Sequence, residues 1–191
     1  MAKKIKIASK HPVFPMPVCL MGANVNGKPN FNAIAWFNMV NLEPMLVGLS
    51  SDSRHYTNRG IHENKTFSIN IPSIDMAAAT DYCGMCTGAN VDKSELFEVF
   101  YGELKTAPMI QECPMNVECK LERIVPLPQA EFIIGEIVAV YTEQRYLTDG
   151  NPDIMKINPL VYEPEHSGYW TLAEQVGQAF EIGKTYKPKR K

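Results

Sequence analysis

Hydroxyl and cationic side chains are concentrated in one short stretch, just after an apolar run. Ser50, Ser51, Ser53, Arg54 and Thr57 follow one another closely there. Hydroxyl donors, free amides at the start of a helix and a guanidinium are the groups that bind a phosphate dianion. The stretch therefore predicts a phosphate site, although a polar turn between a strand and a helix would use the same residue types.

Several common sources of chemistry are missing from the sequence. It has neither the Gly-x-Gly-x-x-Gly pattern of a dinucleotide-binding fold nor a P-loop pattern. The four histidines, at 11, 55, 62 and 166, lack the serine or cysteine partners of a hydrolytic triad. Any bound phosphate would thus belong to another kind of ligand, and no catalytic nucleophile is predicted.

Cys83 and Cys86 are separated by two residues, a spacing found in thiol-redox and zinc proteins. The pair follows a predicted helix, whereas a reactive thiol gains acidity at a helix start. Cys113 and Cys119 have a different spacing, and no histidine pair has the spacing of zinc ligands. A thiol or zinc protein stays an alternative, and a cysteine that simply lines a pocket is favoured.

The elements that must position these residues are mainly strands. Asn26-Gly27 separates two apolar runs, which predicts a β-hairpin. The chain offers about six strands, mostly neighbours in sequence, at residues 18–25, 31–40, 45–50, 66–71, 116–125 and 130–146. Short helices are predicted from Ser53 as N-cap to Gly60 as the closing residue, at Ser73–Tyr82 and at Lys93–Phe100. This order favours an antiparallel sheet closed into a barrel, with a few short helices.

Two aromatic residues, Trp36 and Phe37, lie in the second predicted strand. Aromatic residues in strands are usually part of the core. A strand that alternates asparagine, alanine and tryptophan would also suit a flat conjugated ring. The sequence leaves both interpretations open.

Size and charge define the broad class. The chain has 191 residues, 45% of them hydrophobic, and a net charge of −2, which predicts one soluble domain over residues 1–191. The charge provides no broad basic field, so nucleic acid and anionic membranes are not expected as partners. No secretory signal or membrane span is found, and five cysteines are best read as reduced thiols, so the expected location is the cytoplasm.

Short motifs spread over residues 12–184 carry a family resemblance. In chain order the main ones are Pro15-Met-Pro-Val18, Asn32-Ala-Ile-Ala-Trp36, Arg54-His-Tyr-Thr-Asn58, Phe67-Ser-Ile-Asn70, Asp81-Tyr-Cys-Gly84, Asp92-Lys93 and Val176-Gly-Gln-Ala-Phe180. Their order and spacing resemble the flavin reductase-like family of FMN-binding split β-barrels, in particular its flavoredoxin and ferric-reductase-like branch. Residues 185–191 would be a basic tail outside this core.

The resemblance implies a homodimer that binds one FMN per subunit. The strand segment Trp36, Phe37 and Asn38 would face the isoalloxazine ring mainly through backbone groups. The other implied FMN-binding residues are Ser51, Ser53, Arg54 and Thr57 at the phosphate, Lys93 as a second cation, and Cys83 and Gly84 beside the flavin.

The function implied by the resemblance is that of an FMN-dependent oxidoreductase. Reduced nicotinamide or a redox protein would supply electrons, and flavin, ferric iron or a protein would accept them. A flavin chemistry needs no protein nucleophile and no metal, in agreement with the residues found. An FMN-binding electron carrier without catalysis is the alternative.

Overall fold

The computed structural model describes residues 3–186 and is mainly antiparallel β-structure with a few short helices, as predicted. The strands are β1 (Met16–Pro17), β2 (Cys19–Val25), β3 (Lys28–Ile34), β4 (Phe37–Asn41), β5 (Leu46–Asp52), β6 (Thr66–Ile71), β7 (Val99–Phe100), β8 (Met109–Ile110), β9 (Met115–Pro126), β10 (Ala130–Thr142), β11 (Leu147–Thr148), β12 (Asn151–Pro152), β13 (Val161–Glu163) and β14 (Gly168–Trp170).

The helices are short. They are α1 (Tyr56–Asn64), α2 (Ala77–Met85) and α3 (Ile154–Ile157), with single turns of 3₁₀ helix at Ile74–Met76, Lys93–Leu96, Gln144–Tyr146 and Ile182–Thr185. Within residues 3–186, no helix has the length and hydropathy needed to cross a membrane.

Seven strands form the main sheet in the order β3-β2-β6-β9-β10-β5-β4, and every neighbouring pair is antiparallel. The strands at the two ends of this order, β3 and β4, are joined by only residues 35–36. Such a short connection can bridge the two ends only if the sheet curls round on itself. The chain connectivity therefore accounts for a barrel that is split between β3 and β4.

The same connection corrects one sequence prediction, because residues 31–40 form two strands instead of one. β3 pairs with β2, whereas β4 pairs with β5 at the other end of the sheet. The hairpin prediction is confirmed, since Asn26 and Gly27 have φ values of 52° and 77° in the turn between β2 and β3. That turn type requires positive φ at both central residues.

Neighbouring side chains of β2 are buried on both faces of the sheet. Met21 belongs to the main core inside the barrel, with residues such as Leu49, Phe67 and Ile133. Leu20 belongs to a second cluster, with Phe31, Cys83, Ile110 and Cys113. Since successive strand residues point to opposite faces, α2 and the β7–β8 region must cover the outer face. This cover brings the end of α2 close to β3.

Helix α1 differs from its predicted bounds, which were Ser53 and Gly60. The helix begins at Tyr56, and Lys65, with a φ of 57°, closes it. Gly60 lies inside the helix, where a Cβ atom would come within 2.2 Å of the backbone oxygen of Asn24. The lack of a side chain at Gly60 therefore permits close packing of α1 on β2, and Gly60 does not end the helix.

Two other helix predictions need correction. The segment Lys93–Phe100 has one 3₁₀ turn, Lys93–Leu96, followed by strand β7. Helix α2 continues through Cys83 and Gly84, which were expected to stop it. The part of the predicted basic tail from residue 187 onward lies outside the described residues.

Candidate functional site

A cleft of about 470 Å³ lies beside strand β3, and we call it the central cleft. It is lined by Asn30 and Asn32 of β3, by residues 54–57 at the start of α1, by residues 84–88 at and just after the end of α2, and by Lys93. It brings together four residues predicted from the sequence, namely Arg54, Thr57, Gly84 and Lys93.

Lys93 is a buried cation at this cleft. Its Nζ donates hydrogen bonds to the backbone oxygens of Phe31 at 3.0 Å and Cys83 at 2.6 Å. Cys83 lies in the last turn of α2, so the ammonium group caps one carbonyl at a helix C-terminus. Burial lowers the pKa of Lys93. An ammonium group has three hydrogens, which leaves one for a further acceptor.

The salt bridges of the described residues do not include Lys93. A buried charge without an opposite charge is costly, because the interior solvates it poorly. An anion in the cleft would relieve this cost. The donor set of the cleft therefore fits a phosphate group.

Thr57 supplies a second part of the same site. It is buried in the first turn of α1, and its Oγ1 accepts a hydrogen bond of 2.6 Å from Asn30 Nδ2. The first backbone N–H groups of a helix have no partner within the helix. With Tyr56 and Thr57 both lining the cleft, those donors and the positive end of the helix dipole lie at its wall.

Arg54 lies at the rim of the cleft, where its side chain is 89% exposed. Its Nε and one terminal nitrogen donate to the carboxylate of Asp52 at 2.9 and 2.7 Å. These hydrogen bonds hold the pKa of Asp52 well below its usual range. The guanidinium is thus already neutralised in part, so less of its charge is available to an anion in the cleft.

His55 joins the cleft to a buried hydrogen-bond network. Its Nδ1 lies 2.9 Å from Ser51 Oγ and 3.0 Å from the side chain of Asn32. Ser51 is fully buried and donates to Asn58 Oδ1 at 2.7 Å. Burial lowers the pKa of His55, so the imidazole is neutral at neutral pH.

A second hollow, of about 380 Å³, adjoins the central cleft and shares Gly84 and Met85 with it. We call it the tyrosine recess, because Tyr162 and Tyr169 line it opposite residues 33–35. Desolvation, with a hydrogen bond from its hydroxyl to Asp81, raises the pKa of Tyr169 to about 12. The hydroxyl of Tyr169 therefore stays protonated at neutral pH.

The remaining predicted site residues lie outside the central cleft. Ser51 is used by the network described above, and Ser53 donates to the backbone oxygen of Gln129 at 3.3 Å. Trp36 is 54% exposed, Phe37 packs against the barrel core, and Asn38 is exposed. The break at residues 35–36 explains this placement, because β3 ends before Trp36, and Phe37 and Asn38 belong to β4. Residues 33–35, which precede and enter the break, line the tyrosine recess.

The cysteine pair does not have the properties of a reactive thiol site. Cys83 is fully buried, and burial raises the pKa of its thiol to about 11, against the opposing effect of Lys93. Cys86 is partly exposed and lines the central cleft. A thiol that stays protonated is a poor nucleophile. Within residues 3–186, no group of three His, Cys, Asp or Glu side chains is placed to hold a metal ion.

The cleft residues that sequence reasoning missed include Asn30 and Asn32 on β3 and His55 and Tyr56 at the start of α1. Asn30 and Asn32 are two apart in one strand, so their side chains share a face, and this spacing was a usable signal. His55 and Tyr56 stand between two predicted ligands, Arg54 and Thr57. Only the position of the α1 start shows that they face the same space.

Comparison with known proteins agrees with this fold. The model of the flavin reductase-like domain matches residues 10–171, which is most of the chain. The chain belongs to this family. The predicted split-barrel fold of the flavin reductase-like type is thereby confirmed.

Two flavoredoxin structures are similar to this member of the family over nearly their whole length. That from Methanosarcina acetivorans is 48% identical, with a TM-score of 0.94, covering 96% of this chain and 99% of the other. That from Desulfovibrio vulgaris (Miyazaki F) is 32% identical, with a TM-score of 0.88, covering 95% and 100%. An uncharacterised protein of Archaeoglobus fulgidus is 29% identical over 144 residues, which are 74% of this chain and 80% of that protein.

Proposed function

We propose that the chain binds FMN and acts as a flavin reductase-like oxidoreductase. Its electrons would come from reduced nicotinamide or from a redox protein and would pass to flavin, ferric iron or a protein acceptor. The observation that carries the proposal is Lys93, a buried cation that lines the central cleft and has no carboxylate partner among the described residues. Family membership supplies the flavin class of the ligand.

Each part of FMN has a corresponding part of the site. Lys93, Thr57 and the N–H groups at the start of α1 would bind the phosphate, with Arg54 at the rim. The tyrosine recess would hold the ring, with the backbone of residues 33–35 and Gly84 beside it. Bound FMN supplies the redox chemistry, because its ring accepts a hydride and passes on one or two electrons. The chain's own task is to bind and orient the ring and to set its polar surroundings.

A second candidate is an electron carrier that binds FMN but has no nicotinamide site. The similarity to two proteins called flavoredoxin supports this electron-carrier candidate. We expect a cytoplasmic location for either candidate, because all five cysteines are free thiols.

The test of function begins with the absorption spectrum of the purified protein after incubation with FMN. Binding shifts and sharpens the flavin bands, and reduced nicotinamide then bleaches them under anaerobic conditions if the chain is a reductase. Bleaching only by a reduced redox protein would favour the carrier. A protein that binds no FMN would rule out both.

Arg54→Ala should weaken FMN binding only slightly, by less than about tenfold, because an exposed guanidinium that already pairs with Asp52 gains little from a second anion. Equilibrium titration of flavin fluorescence measures the change. The matched control is Arg145→Ala, an exposed arginine that also pairs with an acidic residue two positions away but lies outside the cleft. A loss of several hundredfold would mean that Arg54 leaves Asp52 and becomes a main phosphate ligand.

The chain is also proposed to be a homodimer, with β4 and the following turn in the interface. Strand β4 is an edge strand of the sheet, and the side chains of Trp36, Met39, Val40, Leu42 and Met45 around it are about half or more exposed. Several exposed apolar side chains on and beside an edge strand are typical of an interface. Light scattering should give about twice the chain mass of 21.5 kDa.

Leu42→Glu should convert this dimer to a monomer, because Leu42 is 82% exposed in the single chain and a carboxylate would be buried against the partner. Met155→Glu, a similar change at an exposed methionine of α3, is the control and should leave the dimer intact. A dimer that survives Leu42→Glu would place the interface elsewhere.

A further inference from the structure

The hydrogen bonds around Asn58 have fixed directions. Its Nδ2 lies 3.0 Å from the backbone oxygen of Asp52 and 3.0 Å from Oε2 of Glu131, and both of those oxygens accept. The other terminal atom of the amide is therefore the oxygen, and it lies 2.7 Å from Ser51 Oγ. A hydroxyl has a single hydrogen. Ser51 must donate that hydrogen to Asn58.

The tautomer of His55 follows from this. Ser51 Oγ can only accept from His55 Nδ1 at 2.9 Å, so Nδ1 carries a hydrogen. A neutral imidazole has one N–H, so Nε2 of the neutral ring has a bare lone pair. Asn32 Nδ2 is placed 3.0 Å from the same Nδ1. The orientation of a side-chain amide is assigned from its hydrogen-bond partners. With the amide of Asn32 flipped, its oxygen lies opposite the ring N–H and can accept from it.

The free edge of the ring faces the central cleft. The two ring nitrogens point in nearly opposite directions, and Nδ1 points to buried Ser51, so Nε2 points away from it. His55 is half-buried and lines the cleft. Within residues 3–186 no hydrogen-bond partner of Nε2 is present.

The charges around His55 come from several elements. Asp52 of β5 raises the pKa of the imidazole, whereas burial, Lys93 and Arg54 lower it, and burial is the largest of these effects. Glu131 of β10 is connected to the ring only through Asn58 and Ser51. The titratable groups Tyr56 and Cys86 line the same cleft.

We propose that His55 takes up a proton when the phosphate of FMN binds in the central cleft and then donates from Nε2 to that phosphate. The proposal rests on the FMN-binding function given above. A phosphomonoester dianion offers only acceptors, so a bare lone pair opposite it is repulsive. The protonated Nε2–H instead makes a charge-assisted hydrogen bond and places a second cation beside Lys93.

The direction of the pH effect follows from linkage. The pKa of His55 is low in the free protein, and a bound dianion raises it, so the complex holds the additional proton in the pH window between the two values. Affinity for FMN is greatest below this window and falls across it, by up to about tenfold per pH unit for one proton. The second ionisation of the phosphate, with a pKa near 6, acts in the opposite direction at lower pH. The alkaline side of neutrality is therefore the informative range.

The test is calorimetric titration of FMN into the flavin-free full-length chain, between about pH 6.5 and about pH 8.5, in buffers with different ionisation enthalpies. Riboflavin, which lacks the phosphate, is the control ligand. His55→Asn is the control variant, because its amide nitrogen can take the place of Nδ1–H opposite Ser51 but cannot titrate. We expect proton uptake and a falling affinity for FMN with the wild-type chain, and neither effect with riboflavin or with His55→Asn.

Three results would overturn the proposal. They are an FMN affinity that does not change across this range, the same proton uptake with riboflavin, and the same proton uptake by His55→Asn. Each of them leaves FMN binding itself intact. If the wild-type chain binds no FMN at any pH, the proposed function fails and the inference fails with it.

Discussion

Lys93→Met is expected to weaken FMN binding about a hundredfold, which corresponds to about 3 kcal/mol, because it removes a desolvated charge-assisted hydrogen bond to the phosphate. Methionine fills a similar volume, so the cleft keeps its shape. The affinity for riboflavin should change far less, since riboflavin has no phosphate. Fluorescence titrations with both ligands measure the ratio of the two affinities.

The control for Lys93→Met is Lys28→Met. Lys28 is on the same strand β3 and faces a neighbouring hollow that also contains Lys93, but its side chain is 78% exposed and lies 3.7 Å from Asp92. An exposed ion pair contributes little, so this variant should bind FMN almost normally.

Lys93 also caps the end of α2, and Lys93→Met can therefore affect structure as well as binding. Loss of the donor to the Cys83 carbonyl should lower the unfolding free energy of the flavin-free chain by about 1–2 kcal/mol. Equal losses of affinity for FMN and riboflavin would show that Lys93 acts only through this cap. A selective loss for FMN identifies the ammonium as the phosphate ligand.

Most of the longer strands were predictable from the sequence because they depend on a local pattern. Thr66–Ile71 alternates at period two and is found at those bounds as β6. Asn26-Gly27 specifies its own turn through backbone conformation. The break at residues 35–36 has no such local signal, because it depends on closure of the sheet between β3 and β4.

Helix ends were harder to predict for the same reason. Glycine is a common residue just after the end of a helix, but Gly60 lies inside α1, where it contacts the backbone of Asn24 on strand β2. The segment after Lys93 has helix-forming residues, yet the chain there pairs β7 with β8 instead. Tertiary contacts overrule local propensity at both places.

The site was predictable only in part. Thr57 was found because a phosphate needs hydroxyl donors, and Lys93 was implied by the family resemblance; the structure places both in one cleft. Ser51 has the right chemistry but satisfies a buried network, and Arg54 is engaged by Asp52. Which polar side chains are free for a ligand depends on hydrogen-bond partners that are distant in sequence. That information is available only from the fold.

The second large effect is expected at Glu118, a fully buried residue of β9 that does not line the central cleft. Its carboxylate accepts hydrogen bonds from the backbone N–H groups of Glu103 and Leu104, at 2.9 and 2.8 Å, and from the hydroxyl of Tyr141 at 3.3 Å. One buried side chain thus holds a loop and a neighbouring strand together.

Glu118→Gln should lower the unfolding free energy by about 2–3 kcal/mol, because one carboxylate oxygen becomes an NH₂ group that faces a backbone N–H donor. Neither orientation of the amide avoids this, since Glu103 and Leu104 donate to different oxygens of the carboxylate. Chemical denaturation measures the change. Glu136→Gln, the same substitution at an exposed position of β10, is the control and should alter stability by less than about 0.5 kcal/mol. Equal stability of the two variants would mean that the 103–104 loop can turn its N–H groups to water. Unchanged FMN affinity in Glu118→Gln would show that the hydrogen bonds of Glu118 act on stability and are independent of the phosphate site at Lys93.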